Sequence, residues 1–314
     1  MTLTQLEYIV AVAKHGNFRV AAKSCFVTQP TLSMQIQKLE DQLGVKIFDR
    51  SQQPIQATPI GQKILDQARV VLSQSALIGE LIKQEKQEIA GDLSLAIIPT
   101  LAPYLLPLFL QDFSARYPAV RLHVEESKTD SIIEALRQNR LDVGLLVTPL
   151  SEPLIRECPL FEEPFYVYTS RQNPLAALDL VEEKDLREQD MLLLTEGHCM
   201  REQVLSICRS RQSRAVALDA PLQFESGSIE TLCHLVENGK GYTIIPHLAK
   251  IWQENRPGKV IAFADPCPSR EVSLACHQSY VKESLLQALI QCIRANLPES
   301  LQHPHHRYRT LGIR

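Results

Sequence analysis

The chain carries eight cysteines, at positions 25, 158, 199, 208, 233, 267, 276 and 292. A thiol can pair, bind a metal, attack an electrophile or fill space as a small apolar group. A structural disulfide framework is not expected for 314 residues, because disulfide-dense folds are small secreted domains that lack core. No C-x-x-C motif occurs, so neither a zinc ribbon nor a thioredoxin-like pair is indicated, and no metal or cofactor is expected. Cys158, Cys233, Cys276 and Cys292 sit in apolar runs and read as packing, as does Cys25. Cys267, close to Arg270, is left open. A second set of chemically capable side chains is polar. Gln29, Thr31, Ser33, Gln35 and Lys38 fall on the outer side of one short helical pattern, and such groups suit base edges and phosphates.

These groups stand in an acidic chain with a basic front. The net charge is -3, yet residues 1–69 hold eight Lys/Arg against five Asp/Glu, and the remainder carries -6. A small polyanion-binding module attached to a larger body is the expected arrangement. The first residues lack a basic region followed by an apolar stretch, and no run of about 18 apolar residues occurs. A cytoplasmic protein without a membrane span is expected, with its thiols reduced.

Three short helices lead the chain. The first uses Leu3, Leu6, Ile9, Val10 and Ala13 and stops at Gly16; the second follows the cap Asn17. Thr28 caps the third, Pro30 suits its first turn, and Leu32, Ile36, Leu39 and Leu43 form its inner stripe. β-like runs at 46–50 and 55–58, joined through 52–54, complete a winged helix-turn-helix. From residue 59 to about 88 a long helix carries Ile64, Ala68, Val71, Ser75, Ile78 and Ile82 at heptad spacing, which favours dimerisation. Beyond Gly91, strands at 93–98, 120–126, 143–147, 165–168, 191–194, 242–245 and 272–277 alternate with helices at 101–117, 130–139, from about 197, 230–238 and 283–295. Alternation of this kind predicts an open α/β sheet, long enough for two subdomains. His303-Pro304-His305-His306 reads as a frayed tail.

The run from Phe18 to Arg50 resembles the LysR family of bacterial transcriptional regulators, through Ala21-Ala22, Leu39-Glu40, Leu43-Gly44, Phe48 and Arg50. Residues 141–145 (LDVGL) and 239–246 (GKGYTIIP) are similar to that family too. The resemblance implies a winged helix-turn-helix at 1–58, a linker and dimerisation helix at 59–89, and a redox-sensing regulatory domain at 90–300. That domain would be periplasmic-binding-protein-like, with subdomain I at 90–162 and 268–300, subdomain II at 163–267, and a tail at 301–314. Double-stranded promoter DNA would be contacted by Thr28, Gln29, Thr31, Ser33, Gln35, Lys38 and Arg50. RNA polymerase and a dimer of dimers are further implied partners.

One segment is more specific. Residues 197–208, Gly-His-Cys-Met-Arg-Glu-Gln-Val-Leu-Ser-Ile-Cys, resemble the redox segment of the family's hydrogen-peroxide-sensing branch. Residues 98–107, Thr129 and Arg270 match in order. The resemblance implies that Cys199 is oxidised by hydrogen peroxide and paired with Cys208, with Thr100, Thr129, His198 and Arg270 at the peroxide and a cellular thiol reductant restoring the pair. Cys199 falls in the first turn of a predicted helix, so its pKa is expected below the ordinary value. Nine helical steps rise about 13.5 Å, against the roughly 7 Å limit between the Cα atoms of a disulfide, so pairing would unravel the helix. The expectation is a regulator of antioxidant genes and not an enzyme. Two rivals stand: a regulator of this family answering a small metabolite, and a thiol peroxidase, against which the DNA-binding head argues.

Overall fold

The computed structural model describes residues 1–85, 89–187, 190–208, 226–239, 241–252, 256–302 and 307–312. The chain divides into two compact units: residues 1–88 with 138–140 and 279–283, and the remainder.

The first unit contains α1 (Leu3–His15), α2 (Phe18–Ser24), α3 (Gln29–Leu43), the strands β1 (Phe48–Asp49) and β2 (Gln56–Ala57), and α4 (Pro59–Glu85). Local chemistry sets the helix starts. Thr2 and Gln5 form a reciprocal capping box on α1, Asn17 caps α2, and Thr28 caps α3 with Pro30 in its first turn. Gly16 and Gly44 end α1 and α3 in the left-handed conformation. The wing is shorter than the sequence suggests, two residues a side, antiparallel. Buried Glu40 ties it to α3 by accepting the N–H groups of Ile47 (2.8 Å) and Phe48 (3.3 Å).

The heptad seam of α4 is not uniform along its length. Ala68 is buried in the core of this unit, and Ile64 and Val71 pack against it. Farther along, Ser75 is half-buried and Ile78 is 67% exposed. The first half of the seam is therefore consumed within the chain, which the heptad count alone did not show. The side chain of Ile82 lies outside the described set.

The second unit runs β3 (Gly91–Ile97), α5 (Ala102–Arg116), β4 (Val120–Glu126), α6 (Thr129–Arg137), β5 (Val143–Thr148), β6 (Ile155–Thr169) and β7 (Leu180–Val181). It continues with α7 (Cys199–Cys208), α8 (Ile229–Asn238), β8 (Tyr242–Pro246), α9 (His247–Ile251), β9 (Lys259–Phe263), β10 (Cys267–His277), α10 (Glu283–Ala295), α11 (Glu299–Gln302) and β11 (Tyr308–Thr310). The strand order is β4-β3-β5-β10-β6-β9-β7, with β8 on β6 and β11 on β10. β3, β4 and β5 are parallel, and every residue of β5 is buried, as a strand covered on both faces requires. β6 is the long connector. Residues 155–164 pair with β10, and Phe165–Thr169 pair with β8.

Two expectations are corrected, and one element is added. Residues 191–194 form no strand, only isolated bridges from Met191 to Tyr242 and from Leu194 to Ser226. The strand expected at 165–168 is the end of a fifteen-residue strand. The added element is β11, which pairs in parallel with Cys267–Ser269, and Leu311 donates its N–H to Ser269 O at 2.8 Å. The histidines at 303–306 lie outside the described residues.

Candidate functional site

Cys199 is the first residue of α7, partly buried. Gly197, two residues earlier, has φ +85°, and a Cβ there would approach Lys128 Nζ to 3.1 Å. Lys128 donates to Glu196 O at 3.3 Å, so this lysine holds the turn that delivers Cys199. Thr129, the first residue of α6 and buried, hydrogen-bonds the Cys199 sulfur through its hydroxyl. Thr100, His198, Thr129 and Cys199 border one closely packed crevice together with Ile98, Pro99, Lys128 and Gly197. A neighbouring opening bounded by Asp130, Ile133, Leu150 and Glu202 reaches the same Cys199 and His198.

Arg270 is fully buried on β10, directly across the ladder from fully buried Glu163 on β6. Its Nε donates to Glu163 Oε2 at 2.8 Å, Nη1 to Thr100 Oγ1 at 3.0 Å, and Nη2 to Thr100 O at 3.2 Å. Glu163 also accepts the Leu248 N–H at 2.8 Å. A buried charge needs such partners, and this set fixes the guanidinium so that it also aims Thr100.

The electrostatics correct one expectation. Burial pushes the Cys199 thiol above its ordinary value, not below it. Its neighbours all pull the other way: the Arg270 charge, the Thr129 hydroxyl and the N–H groups of Met200 and Cys199. Cys233, Cys267 and Cys292 differ in kind. They are raised to about 12, 11 and 11, and a carboxylate near each one (Glu230, Asp265 and Asp112 respectively) adds to the effect of burial. Among these shifted thiols, Cys199 alone has no neighbour that opposes the thiolate once burial is set aside. His198 is buried, and burial with the nearby Lys128 holds its pKa below the ordinary value, so its ring is neutral at pH 7.

Glu163 and Lys128 were not anticipated. Glu163 sits between Glu162 and Pro164 in a stretch that does not read as a strand, so its buried position was not legible before the fold. Cys208 ends the same helix that Cys199 begins, and its side chain lies outside the described set. Within α7, fully buried Gln203 donates to Leu311 O at 2.9 Å.

On the first unit, Gln29, Thr31 and Lys38 are exposed on α3. Thr28 is exposed as well and shares a 2.8 Å hydroxyl contact with Thr31. Ser33 and Gln35 are half-buried and turned to internal partners, Ser33 accepting from Arg50 at 3.4 Å and Gln35 from Gln5 at 3.2 Å. Arg50 lies 5.0 Å over the Phe18 ring and 3.4 Å from Glu40, pinned beside α3.

Residues 3–62 match the bacterial regulatory helix-turn-helix proteins of the LysR family, and residues 86–298 match the LysR substrate binding domain. The chain belongs to the LysR family. Its fold class follows: a DNA-binding winged helix-turn-helix, a long helix and a mixed α/β regulatory domain of periplasmic-binding-protein type. Within the family the chain is of OxyR type. It is 34% identical over 298 residues to the DNA-binding transcriptional dual regulator OxyR of Escherichia coli K12, covering 95% of this chain and 96% of that one. It is 36% identical over 295 residues to a probable hydrogen peroxide-inducible genes activator of Streptomyces viridosporus, covering 93% of each. A full-length OxyR cysteine-to-aspartate variant from Pseudomonas aeruginosa has a TM-score of 0.82 at 36% identity, over 95% of this chain and 99% of that chain. A Corynebacterium glutamicum OxyR mutant with H2O2 bound gives 0.64 at 30%, over 94% and 92%. No described helix is long and apolar enough to cross a membrane.

Proposed function

We propose that this chain is a hydrogen-peroxide-sensing transcriptional regulator in which Cys199 is the sensor and Cys208 the resolving thiol. The observation that carries this reading is the setting of Cys199: a helix-starting thiol hydrogen-bonded by Thr129, under the charge of Arg270, in a crevice shared with Thr100 and His198. The relatives named as hydrogen peroxide-inducible activators support it, as does the solved OxyR with H2O2 bound.

The chemistry needs few groups. The Cys199 thiolate attacks one peroxide oxygen and the O–O bond breaks. The sulfur leaves as a sulfenic acid, and the other oxygen departs as hydroxide, which takes a proton to become water. Thr129, Thr100 and neutral His198 supply hydrogen bonds to orient the peroxide. Cys208 then attacks the sulfenic sulfur, the S–O bond breaks, and a second water leaves with the Cys208 proton. A continuous helix over Cys199–Cys208 separates the two Cα atoms by about 13.5 Å at ~1.5 Å per residue, beyond the roughly 7 Å a disulfide tolerates. Bond formation therefore unwinds α7 and releases Gln203 from Leu311, which makes the thiol reaction a change of fold.

A cytoplasmic thiol reductant resets the pair, and the DNA-binding head at residues 3–62 favours a switch over a peroxidase, whose cycle would use the same thiol chemistry. Double-stranded promoter DNA is held by the exposed polar face of α3, and a dimer of dimers built on the second half of α4 places several heads on one promoter, where RNA polymerase is recruited to antioxidant genes. The test is a peroxide-responsive reporter. Cys199→Ser should abolish induction while operator binding persists, whereas induction that survives in this variant would overturn the reading.

A further inference from the structure

The outer face of α3 has an apolar centre that its polar residues conceal. Met34 is 50% exposed on a helix whose buried stripe is Leu32, Ile36 and Leu39. It stands two residues from both Leu32 and Ile36, about 160° round the helix from each at 3.6 residues per turn. Met34 therefore points straight away from the core, while Ser33 and Gln35 on either side turn back to Arg50 and Gln5. Its helical neighbours on that face, Pro30, Thr31 and Lys38, are exposed as well. The one acid there, Asp41, is toward the far end and is engaged by Gln37 at 2.7 Å. Exposed Arg19 and Lys23 on α2 add positive charge. The face thus carries Lys38 beside a flexible thioether at its middle, with Arg19 near Gln29 at its start.

We infer that Met34 is a specificity-determining residue, reading the 5-methyl group of a thymine in the major groove. This rests on the DNA-binding role of α3 proposed above. The thymine methyl is the one apolar feature that base pairs present in that groove. A methionine offers no donor and only a weak acceptor, but its polarizable, three-torsion side chain adapts to a methyl group. Lys38, one turn on, supplies phosphate attraction that carries no sequence information.

The experiment uses the full-length chain and a duplex enriched by it from a random-sequence library. Each thymine is replaced in turn by deoxyuracil, which removes only the methyl group. For the wild type, replacement at one position per half-site should weaken binding about four-fold, the transfer value of one methyl-sized group. For Met34→Ala, that thymine-to-uracil ratio should fall to about one, and Met34→Leu should retain it. Met34 is exposed, so unchanged melting of both variants checks that the head is folded. If Met34→Ala keeps the full ratio, another side chain reads the methyl and the inference fails. If no thymine is sensitive in the wild type, the apolar centre serves a protein partner and the inference fails. If no duplex is enriched, the DNA-binding reading falls and takes the inference with it.

Discussion

Arg270 and Glu163 face each other across the β10–β6 ladder, both wholly buried and 2.8 Å apart. The carboxylate holds the guanidinium and also dilutes its charge at Cys199. Removing one partner of a buried pair costs about 3–5 kcal/mol. Glu163→Gln, which keeps an acceptor, should lie at the low end of that range in urea unfolding. The same variant should lower the Cys199 pKa, because the arginine charge is no longer offset. Iodoacetamide titration of Cys199 reads this directly, and an unchanged or higher pKa would contradict the arrangement.

Thr129→Val tests the hydroxyl on the sulfur. A hydrogen bond to a charged group contributes about 1.5–3 kcal/mol. Losing it should raise the thiol pKa and slow sulfenic acid formation at neutral pH at least ten-fold. Stopped-flow peroxide oxidation gives the rate, and Thr129→Ser should restore most of it.

The pH dependence follows from burial. Because the Cys199 pKa is raised, the thiolate fraction below that pKa grows about ten-fold per pH unit. The second-order rate constant with peroxide should climb throughout pH 6–8.5. A plateau beginning near pH 6 would mean that Arg270 and the helix N-terminus outweigh burial.

His247 gives a stability counterpart. Its ring is buried between Tyr166 (3.2 Å) and Ser300 (2.8 Å), and burial holds its pKa at about 4. A lowered folded-state pKa contributes stability that is present above the unfolded value of about 6.5 and lost as pH falls toward 4. The stability advantage of wild type over His247→Phe should shrink across that window. A constant difference would show that the ring is not held neutral.

Much of this was legible from residue patterns. Val120–Glu126 and Glu283–Ala295 were placed at their observed bounds, because strict alternation and a helical stripe leave little choice. The first part of β6 was not. Its span includes Pro159, Glu162, Glu163 and Pro164, which argue against a strand until β10 supplies their partners. β11 was missed because its pairing uses backbone groups and needs no side-chain pattern. At the site, the thiol stood out in its own segment, whereas Thr100 and Thr129 lie 99 and 70 positions before it and were named only through the family resemblance. Glu163 lies 107 positions from the arginine it serves, so only the fold joins them. Met34 was passed over because the search of α3 was for polar groups, and exposure opposite the core is a property of the helix, not of the residue type.

The central claim is that peroxide converts the helix from Cys199 to Cys208 into a disulfide-closed segment. The direct measurement is peptide mass spectrometry of the full-length protein after a brief, low dose of peroxide, with hydrogen exchange followed over residues 199–208 on the same sample. A Cys199–Cys208 bond should dominate, with loss of amide protection along the helix. A different pair, or a Cys199–Cys208 bond with helical protection retained, would contradict the account.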